Sequence, residues 1–373
     1  MQKTSLYSAH QALGAKFIDF AGWAMPLCYR TQSEEHLRVR ESVGVFDVSH
    51  MGIIDITGEG ATDFLAAVLA NNVQKLSPGK ALYTCMLNER GGILDDLIVY
   101  YIASDHYRLV VNAARRESDW TWLLAQARPY AVTLTERLDL ALIALQGREA
   151  RKVLKEVMPA EAALIGTLKP FSVANAGEYL LATTGYTGED GFEIMLPESE
   201  SIDFWNALLA NDVMPIGLGA RDSLRLEAGL NLYGLDMDET VTPLESNLDW
   251  TVALEPADRD FIGRKALMAQ KAHGLQQNLK AVKLETKGML RAGQSIFNNA
   301  ANRKGDPMDD YIGKITSASY SPVLKQSIGF ARISVNVPLE CCVEIRGALY
   351  PITCVNPPLW RRSYKIAYDT QLA

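Results

Sequence analysis

The chain has 373 residues, 48% hydrophobic and 22% charged, which is typical of a globular protein with two or three packed domains. The formal net charge is −7 without a long run of one sign, so the composition argues against a general nucleic-acid surface. The longest apolar stretch, Leu140 to Leu145, is too short to cross a bilayer, and Met1 to Gln11 carries no targeting pattern, so we expect a cytoplasmic protein without a membrane partner.

Helical and extended patterns are mixed along the first two thirds of the chain. A strand-like run, Ile53 to Ile56, ends at Gly58 and Gly60 and is followed by the helical spacing of Ala61 to Leu69. The other predicted elements are strands over Ala81 to Leu87, Gly92 to Ile102 and His106 to Asn112 and helices over Arg148 to Val157 and Ser201 to Ala210. Because strict β-α alternation is missing, an α+β fold is favoured over a doubly wound sheet.

The pattern changes after about His273. Short apolar runs are then separated by Gly, Asn, Asp and Pro, and they cover Leu279 to Leu284, Ile312 to Ile315, Ile328 to Ile333 and Cys341 to Ile345. This spacing is typical of strands joined by tight turns. The C-terminal part of the chain is therefore predicted to form a small all-β module.

Two adjacent carboxylates, Asp95 and Asp96, stand in an apolar run that follows the glycine turn Gly91-Gly92. Successive side chains of a strand point to opposite faces, so a regular strand keeps these two groups from sharing a proton. One of them is expected to face a pocket and the other a turn or an adjoining domain. Alternation alone does not choose between them, and turn capping by both is the simpler alternative.

Three further charged residues need partners inside the fold. Glu193 lies in a predicted apolar strand, and burying an unpaired carboxylate is unfavourable by several kcal/mol. Its partner is either an arginine elsewhere in the fold or a ligand with two adjacent N–H donors. Arg221 and Arg225 lie four residues apart, and on a helix they would share a face and repel mildly. Neighbouring acids, or an anionic ligand, would relieve this repulsion.

Cysteine and histidine spacing indicates no metal site. The five cysteines form no C-x-x-C pair, and we interpret Cys28, Cys85, Cys341, Cys342 and Cys354 as buried free thiols. The histidines show no i, i+4 ligand spacing and no neighbouring cysteine cluster. His50 alone lies in a conspicuous motif, and it is interpreted as a structural residue.

Taken together, several stretches resemble the glycine cleavage T-protein family along essentially the whole chain. The motifs, in the order of the family, are Asp19 to Leu27 (DFAGWAMPL), Gly44 to Met51 (GVFDVSHM), Gly91 to Tyr100, Thr184 to Glu193, Gly217 to Gly234, Asp236 to Thr240 and Asp260 to Gly263. Each motif is weak by itself. Their number and their order make a chance match very improbable.

The resemblance implies a three-lobed α+β transferase around a folate channel. Residues 1–275 would form two interleaved α+β lobes that bind folate, and residues 276–373 a C-terminal β-barrel lobe. The implied activity is that of an aminomethyltransferase of the glycine cleavage system, which passes a one-carbon unit from the lipoylated H-protein to tetrahydrofolate as co-substrate and uses no metal.

The resemblance also assigns roles to residues. It selects Asp96 as the catalytic carboxylate, which we expect to be ionised because an ordinary aspartate has a pKa of about 4. An ionised Asp96 would orient N5 of tetrahydrofolate and stabilise cationic character in the reaction. The positions that match folate-binding residues are Tyr83, Val111, Asn112, Tyr186, Glu193, Arg225, Tyr233 and, near the C-terminus, Arg361.

Three alternatives and one departure accompany this assignment. One alternative is a purely structural or interaction protein, which tetrahydrofolate would not stabilise against heat. Non-enzymatic folate-binding relatives that serve iron–sulfur cluster maintenance carry a Lys-Gly-Cys-Tyr stretch, which this chain lacks. Folate-dependent demethylating domains belong to much longer chains with a dinucleotide-binding half. The departure lies in the C-terminal lobe, where Ala318 and Lys325 replace two glycines of the family pattern. Glycine tolerates positive φ without steric cost, so an effect on this turn is expected.

Overall fold

A computed structural model of the chain describes residues 1–298, 310–335, 337 and 340–360. The α-helices in these ranges are α1 (Tyr7–Ala12), α2 (Gln32–Glu41), α3 (Ala61–Val68), α4 (Arg116–Ala127), α5 (Ala150–Val157), α6 (Ala162–Thr167), α7 (Ser201–Ala210), α8 (Leu218–Ala228) and α9 (Arg264–His273). No helix of the described ranges is long and apolar enough to cross a membrane.

The strands before the C-terminal lobe are β1 (Lys16–Phe20), β2 (Trp23–Cys28), β3 (Gly44–Asp47), β4 (Gly52–Thr57), β5 (Lys80–Leu87), β6 (Ile93–Ala103), β7 (His106–Val111), β8 (Thr133–Glu136), β9 (Leu140–Gln146), β10 (Val173–Ala176), β11 (Tyr179–Ala182), β12 (Gly191–Pro197) and β13 (Met214–Pro215). Those of the C-terminal lobe are β14 (Gln277–Leu284), β15 (Ser295–Phe297), β16 (Tyr311–Ser321), β17 (Gln326–Ser334), β18 (Glu340–Ile345) and β19 (Ala348–Val355). Each predicted helix and strand has a counterpart, and the α+β prediction is confirmed.

Two antiparallel sheets form the first part of the molecule. One has five strands in the order β5-β6-β7-β4-β8, and the other has six in the order β10-β11-β12-β9-β3-β13, in which only β13 and β3 run parallel. Helices α3 and α4 pack on the outer face of the first sheet and α5 and α7 on that of the second. The inner faces meet in a shared apolar core that contains Ile53 and Tyr100 from one sheet and Ala144 and Met195 from the other.

The C-terminal lobe is a closed six-stranded barrel in the order β14-β17-β16-β15-β18-β19, and pairing between β14 and β19 closes it. The prediction of a C-terminal β-barrel is therefore confirmed. The interior is filled by small and branched apolar side chains such as Val282, Ile315 and Val343. Cys341 and Cys354 belong to this interior, and all five cysteines are buried free thiols, as the sequence predicted. The division of the chain at 275/276 stays a prediction.

Asp236, in the segment after α8, connects the barrel to the rest of the molecule. Its carboxylate accepts hydrogen bonds from Thr316 Oγ1 at 2.5 Å, Ser317 Oγ at 2.7 Å and Arg225 Nη1 at 2.6 Å. Arg332 of β17 donates to the Asp236 carbonyl oxygen at 2.6 Å. The buried carboxylate of Asp236, in the connecting segment, is therefore hydrogen-bonded both to the barrel and to helix α8.

The glycine turn before β6 allows the same segment to lie against the sheet. Gly91 has φ +82°, and a Cβ atom on Gly92 would lie 1.9 Å from the carbonyl oxygen of Glu239. The backbone N–H of Ile93 donates to the carbonyl oxygens of Asp238 at 3.2 Å and Val241 at 3.1 Å. Only glycine permits this approach, so the two glycines bring residues 236–241 next to the aspartates of β6.

The two positions where family glycines are replaced behave differently. Ala318 lies within β16 opposite Gly329 and needs no special backbone conformation. Lys325, directly before β17, adopts φ +55°. The turn is thus retained, but a left-handed lysine is unfavourable by roughly 1–2 kcal/mol.

Candidate active site

A cavity of about 570 Å³ lies where the two sheets, helix α8, the β1–β2 hairpin and barrel strand β16 meet. This volume is within the range of about 300–1,000 Å³ that is usual for small-molecule sites. Apolar side chains form much of the wall, among them Ile18, Phe20 and Ile98. Seven of the nine predicted site residues line the cavity, namely Tyr83, Asp96, Asn112, Tyr186, Glu193, Arg225 and Tyr233.

Asp96 lies on the cavity face of β6 and is held by two donors. The hydroxyl of Tyr83, on the neighbouring strand β5, donates to Asp96 Oδ2 at 2.6 Å. Nδ2 of Asn112, directly after β7, donates to Asp96 Oδ1 at 2.8 Å. Both donors are neutral, so the carboxylate is oriented without being neutralised by a cation. Tyr83 itself packs on Trp250, with ring centroids 5.5 Å apart.

The expectation that Asp96 has an ordinary pKa is wrong. Burial in the cavity, together with the nearby Asp95 carboxyl group, raises the pKa of Asp96 from 3.8 to about 7, although the hydrogen bonds from Tyr83 and Asn112 oppose this change. Desolvation disfavours the charged form of an acid, and a second carboxyl group adds to the effect. Asp96 is therefore poised to exchange a proton near neutral pH.

Strand alternation separates the two aspartates as predicted. Asp96 and Ile98 line the cavity, whereas Val99 belongs to the apolar core between the sheet and its helices, and Leu97 contributes to both. The Asp95 carboxylate lies away from the cavity and is completely buried. It accepts hydrogen bonds from the backbone N–H of Asn112 at 3.0 Å and from Asn112 Nδ2 at 2.8 Å. One asparagine thus contacts both carboxyl groups.

Glu193 of β12 contributes a second carboxylate to the cavity. Its Oε2 accepts hydrogen bonds from Thr184 Oγ1 at 2.6 Å and from the Tyr100 hydroxyl at 3.3 Å. Among the ion pairs found within the described residues, none includes Glu193. The partners that the sequence required are therefore two hydroxyl groups rather than an arginine. A carboxylate can accept about four hydrogen bonds, so Glu193 has acceptor capacity left for a ligand.

The two arginines of α8 have different environments. Arg225 is 1% exposed, and its guanidinium group pairs with Asp236 at 2.6 Å and Asp222 at 2.8 Å. Arg221, one turn earlier, lies over the Tyr186 ring at 4.7 Å, and its buried Nη1 has no hydrogen-bond partner in the part of the chain that the structure describes. Both side chains line the cavity. Nη2 of Arg225 also lacks a hydrogen bond of good geometry, but it lies 2.8 Å from Asp222 Oδ1, whereas Nη1 of Arg221 forms no ion pair with an acid of the described residues.

Two tyrosines border the same space. The hydroxyl of Tyr186 donates to the carbonyl oxygen of Asn231, and that of Tyr233 donates to the carbonyl oxygen of Ile93 at 3.0 Å. With their hydroxyl groups engaged by backbone carbonyls, these residues present ring surfaces to the cavity. Flat aromatic surfaces of this kind suit a flat ligand ring.

Two predicted site residues are not among the lining side chains. Val111 is fully buried in the core between the sheet and α3 and α4, and Val110 lines the cavity in its place. The Val111 side chain therefore does not line the cavity, because adjacent strand residues face opposite sides, and a folate contact at this position stays a prediction. Arg361 lies outside the described residues.

His50 is a cavity residue that the sequence interpretation classed as structural. It is 2% exposed and lines the cavity, with its ring 5.5 Å from that of Phe20. Burial lowers the pKa of His50 to about 4, so its ring is neutral at physiological pH. Nδ1 of this ring has no hydrogen-bond partner in the described ranges. The motif around His50 was visible in the sequence, but its distance from the cavity was not.

Within the described residues, no group of three or more His, Cys, Asp or Glu side chains is arranged to hold a metal ion. The acids of the cavity are instead held singly by hydroxyl and amide donors, as described for Asp96 and Glu193. Such a set can bind hydrogen-bond donors and stabilise positive charge, and it can exchange a proton through Asp96.

Comparison with known proteins gives a consistent family. The GCVT N-terminal domain matches residues 6–256, and the glycine cleavage T-protein C-terminal barrel domain matches residues 279–360. The chain is 50% identical over 367 residues to an aminomethyltransferase of Xanthomonas axonopodis pv. citri, with 96% of each chain covered. It is 48% identical over 361 residues to an aminomethyltransferase of Methylococcus capsulatus, with 96% of this chain and 97% of the other covered.

A solved structure agrees with this result along almost the whole length. The crystal structure of glycine cleavage system aminomethyltransferase T from Bartonella henselae matches with a TM-score of 0.90 at 34% sequence identity, and the match covers 97% of this chain and 99% of the other. Fold, barrel and sequence are therefore shared with one group of proteins. The chain belongs to the glycine cleavage T-protein family.

Proposed function

We propose that this protein is the aminomethyltransferase of a glycine cleavage system, and that it transfers the methylene carbon of an aminomethyl group from the lipoyl arm of the H-protein to tetrahydrofolate. The observation that carries the proposal is the position of Asp96, a carboxyl group with a pKa of about 7 that two neutral donors hold in a 570 Å³ cavity. Family membership supports the same activity.

The residues of the cavity suit a reduced folate. A pterin presents a ring N–H beside an exocyclic amino group, and the remaining acceptor sites of Glu193 can receive both. The rings of Tyr83 and Tyr186 offer flat contact surfaces. Arg221 has the free donor for an oxygen of the ligand, so we assign to Arg221 the role that the sequence gave to Arg225. Arg225 instead holds Asp236.

Tetrahydrofolate, when bound, supplies two nitrogens that can each form a bond to a one-carbon unit. The net reaction breaks the bonds of this carbon to sulfur and to nitrogen and forms two bonds to N5 and N10. Two protons move from those nitrogens to the departing thiolate and ammonia. Some group in the cavity must therefore accept and return a proton.

Asp96 is the group that we propose for this proton transfer. General acid–base catalysis is most efficient when the pKa of the group lies near the working pH, and the pKa of Asp96 is about 7. In its ionised form, Asp96 also stabilises cationic character at the reacting carbon, because no arginine or lysine pairs with it among the described residues. Tyr83 and Asn112 fix the direction of the carboxylate.

The mouth of the cavity supports access by a long, largely apolar arm. Leu235, Met289 and Tyr320 line the cavity and are 50%, 46% and 41% exposed. They come from the segment after α8 and from the barrel, so the opening lies between these two parts. We propose that the H-protein presents its dihydrolipoyl arm through this opening.

Turnover with the natural pair of substrates tests the proposal. Aminomethylated H-protein and tetrahydrofolate are mixed with the protein, and methylenetetrahydrofolate and ammonia are measured, with equal amounts of both expected. The melting temperature is recorded with and without tetrahydrofolate, because a ligand that binds the folded state must stabilise it. Stabilisation without either product would refute the transferase proposal and favour the non-enzymatic scaffold. Neither stabilisation nor product would also refute folate binding.

A further inference from the structure

His50 is a buried polar residue of the cavity to which the proposed function gives no role. It is 2% exposed, and its ring lies at 87° to the ring of Phe20, with the two centroids 5.5 Å apart. Neither ring nitrogen forms a hydrogen bond with a described residue, and Nδ1 is enclosed by protein atoms. A buried polar group without a partner is unfavourable and uncommon in native structures. The unmet hydrogen bond of His50 therefore requires an explanation.

The loop that carries His50 is held in place without the imidazole ring. It connects β3 of one sheet to β4 of the other, and the backbone N–H of Met51 donates to the carbonyl oxygen of Val48 at 3.1 Å. The N–H of Val48 donates to the carbonyl oxygen of Leu142 at 3.0 Å. The hydroxyl of Ser49 donates to the same carbonyl oxygen at 3.2 Å and accepts from the Leu142 N–H at 3.0 Å. The position of the ring is therefore fixed by its loop, while its nitrogens stay available.

The environment of the ring favours a neutral form with the proton on Nε2. Burial, together with the charge of Arg221, lowers the pKa of His50 to about 4, so the ring is neutral and has one N–H donor and one acceptor nitrogen. An unpaired N–H that is buried in protein is rarer than an unpaired acceptor. Because Nδ1 is the enclosed nitrogen, it is the acceptor, and the N–H of Nε2 is the donor that can reach the cavity.

We propose that His50 is a binding residue for the co-substrate, and that its Nε2–H donates a hydrogen bond to an acceptor oxygen of tetrahydrofolate. The inference rests on the proposed function for the identity of the ligand and adds one contact to it. The carboxylates of Asp96 and Glu193 can accept from the N–H groups of a ligand. His50 and Arg221 supply the donors that the oxygens of the same ligand need. These oxygens belong either to the pterin carbonyl group or to the glutamyl carboxylates.

Calorimetric titration with tetrahydrofolate tests the contact. His50→Phe keeps a ring next to Phe20 but removes both nitrogens, and it should weaken binding by about 3- to 10-fold, the usual effect of one neutral hydrogen bond. His50→Gln should recover most of the affinity, because the amide nitrogen of glutamine can replace the imidazole Nε2 as a neutral donor. The control His273→Phe changes an exposed histidine of α9 and should leave the Kd unchanged.

A second ligand identifies the oxygen. 6-Methyltetrahydropterin has the pterin carbonyl group but no glutamyl carboxylate. If His50→Phe weakens the binding of both ligands equally, the acceptor is the pterin carbonyl oxygen, and a loss with tetrahydrofolate alone identifies a carboxylate. An unchanged Kd of His50→Phe for both ligands would overturn the proposal, because water would then satisfy the ring as well as the ligand does.

Thermal unfolding without a ligand separates a binding role from a structural one. The nitrogens of His50 have no partner in the described part of the protein, so the melting temperature of His50→Phe should stay within about 2 °C of that of wild type. If the larger ring of phenylalanine prevents folding, His50→Leu removes the same nitrogens within a smaller volume. A large fall of the melting temperature in a variant with an unchanged Kd would identify His50 as a structural residue and overturn the proposal.

Steady-state kinetics completes the test and separates this inference from the proposed function. A hydrogen bond that is equally strong in the ground state and the transition state affects KM alone, so His50→Phe should raise the KM for tetrahydrofolate and keep kcat within about twofold of wild type. A lower kcat with an unchanged KM would overturn the binding role. Wild-type protein that binds tetrahydrofolate without forming product would refute the transferase proposal but not the contact of His50. Wild-type protein that does not bind tetrahydrofolate would refute both.

Discussion

The raised pKa of Asp96 has a consequence for stability that can be calculated. The folded protein binds this proton up to about pH 7, whereas the unfolded chain releases it near pH 3.8. Between these values the folded state holds more protons than the unfolded state, so stability decreases as the pH rises. With roughly 1.4 kcal/mol for each pH unit, ionising Asp96 destabilises the fold by about 4 kcal/mol above pH 7.

Asp96→Asn removes this penalty while it keeps the shape of the side chain. Oδ1 of the asparagine can accept from Asn112, and its Nδ2 can donate to the Tyr83 hydroxyl, which is able to accept as well as donate. We expect the variant to gain about 3 kcal/mol of stability relative to wild type between pH 4.5 and pH 8.5. Turnover should fall by more than about tenfold, because both the charge and the exchangeable proton are lost.

Urea unfolding at pH 4.5 and pH 8.5, monitored by tryptophan fluorescence, measures the stability difference between Asp96→Asn and wild type directly. Glu89→Gln is the matched control, since Glu89 is exposed in the turn that precedes the same strand. This control should change the stability by less than about 0.5 kcal/mol at both pH values. If the stability difference between Asp96→Asn and wild type were the same at pH 4.5 and pH 8.5, Asp96 would not have a raised pKa, and its proposed role in proton transfer would be refuted.

Two further predictions concern α8 and the barrel turn. Arg221→Met should weaken tetrahydrofolate binding by about 10- to 100-fold in a calorimetric titration, as expected for the loss of one charge-assisted hydrogen bond. The control Arg30→Met, on the surface, should leave the Kd unchanged. An unchanged Kd for Arg221→Met would exclude Arg221 from the ligand site. Lys325→Gly should raise the unfolding free energy by about 0.5–1 kcal/mol, because relief of the left-handed lysine exceeds the added backbone entropy of the unfolded chain, and a lower thermal midpoint would contradict this reasoning.

Local patterns in the sequence were sufficient to predict the helices and strands and part of the candidate site. The period of two along β6 places Asp95 and Asp96 on opposite faces from the sequence alone, since this period depends only on the local backbone. The same rule predicts that the Val111 side chain faces away from the cavity. Val110 and Asn112 lie two residues apart, so their side chains face the same side of the sheet. A cavity lined by Asn112 is therefore lined by Val110 as well, and the Val111 side chain lies on the opposite face.

Contacts between distant segments decided what the sequence left open. Arg221 and Arg225 look alike in the sequence. In the fold Arg225 is engaged by Asp222, three residues before it, and by Asp236, which barrel hydroxyl groups also bind. The pKa of Asp96 depends in the same way on burial by other lobes and on Asp95. A reference pKa contains neither effect, and for this reason the expectation of an ordinary aspartate was wrong.

The choice of partner separates the functional acids of this protein from its structural ones. Asp55 and Asp236 are buried outside the proposed chemistry, and each is neutralised by a guanidinium group, at 2.6 Å in both cases. Asp96 and Glu193 lie at the cavity and receive only hydroxyl and amide donors. A buried carboxylate paired with arginine has little electrostatic attraction left for a ligand. A carboxylate held by neutral donors still attracts a positively charged group. The fold thus keeps negative charge where a cationic reaction centre would need it, and the acids that only support the structure, Asp55 and Asp236, are the ones that arginines neutralise.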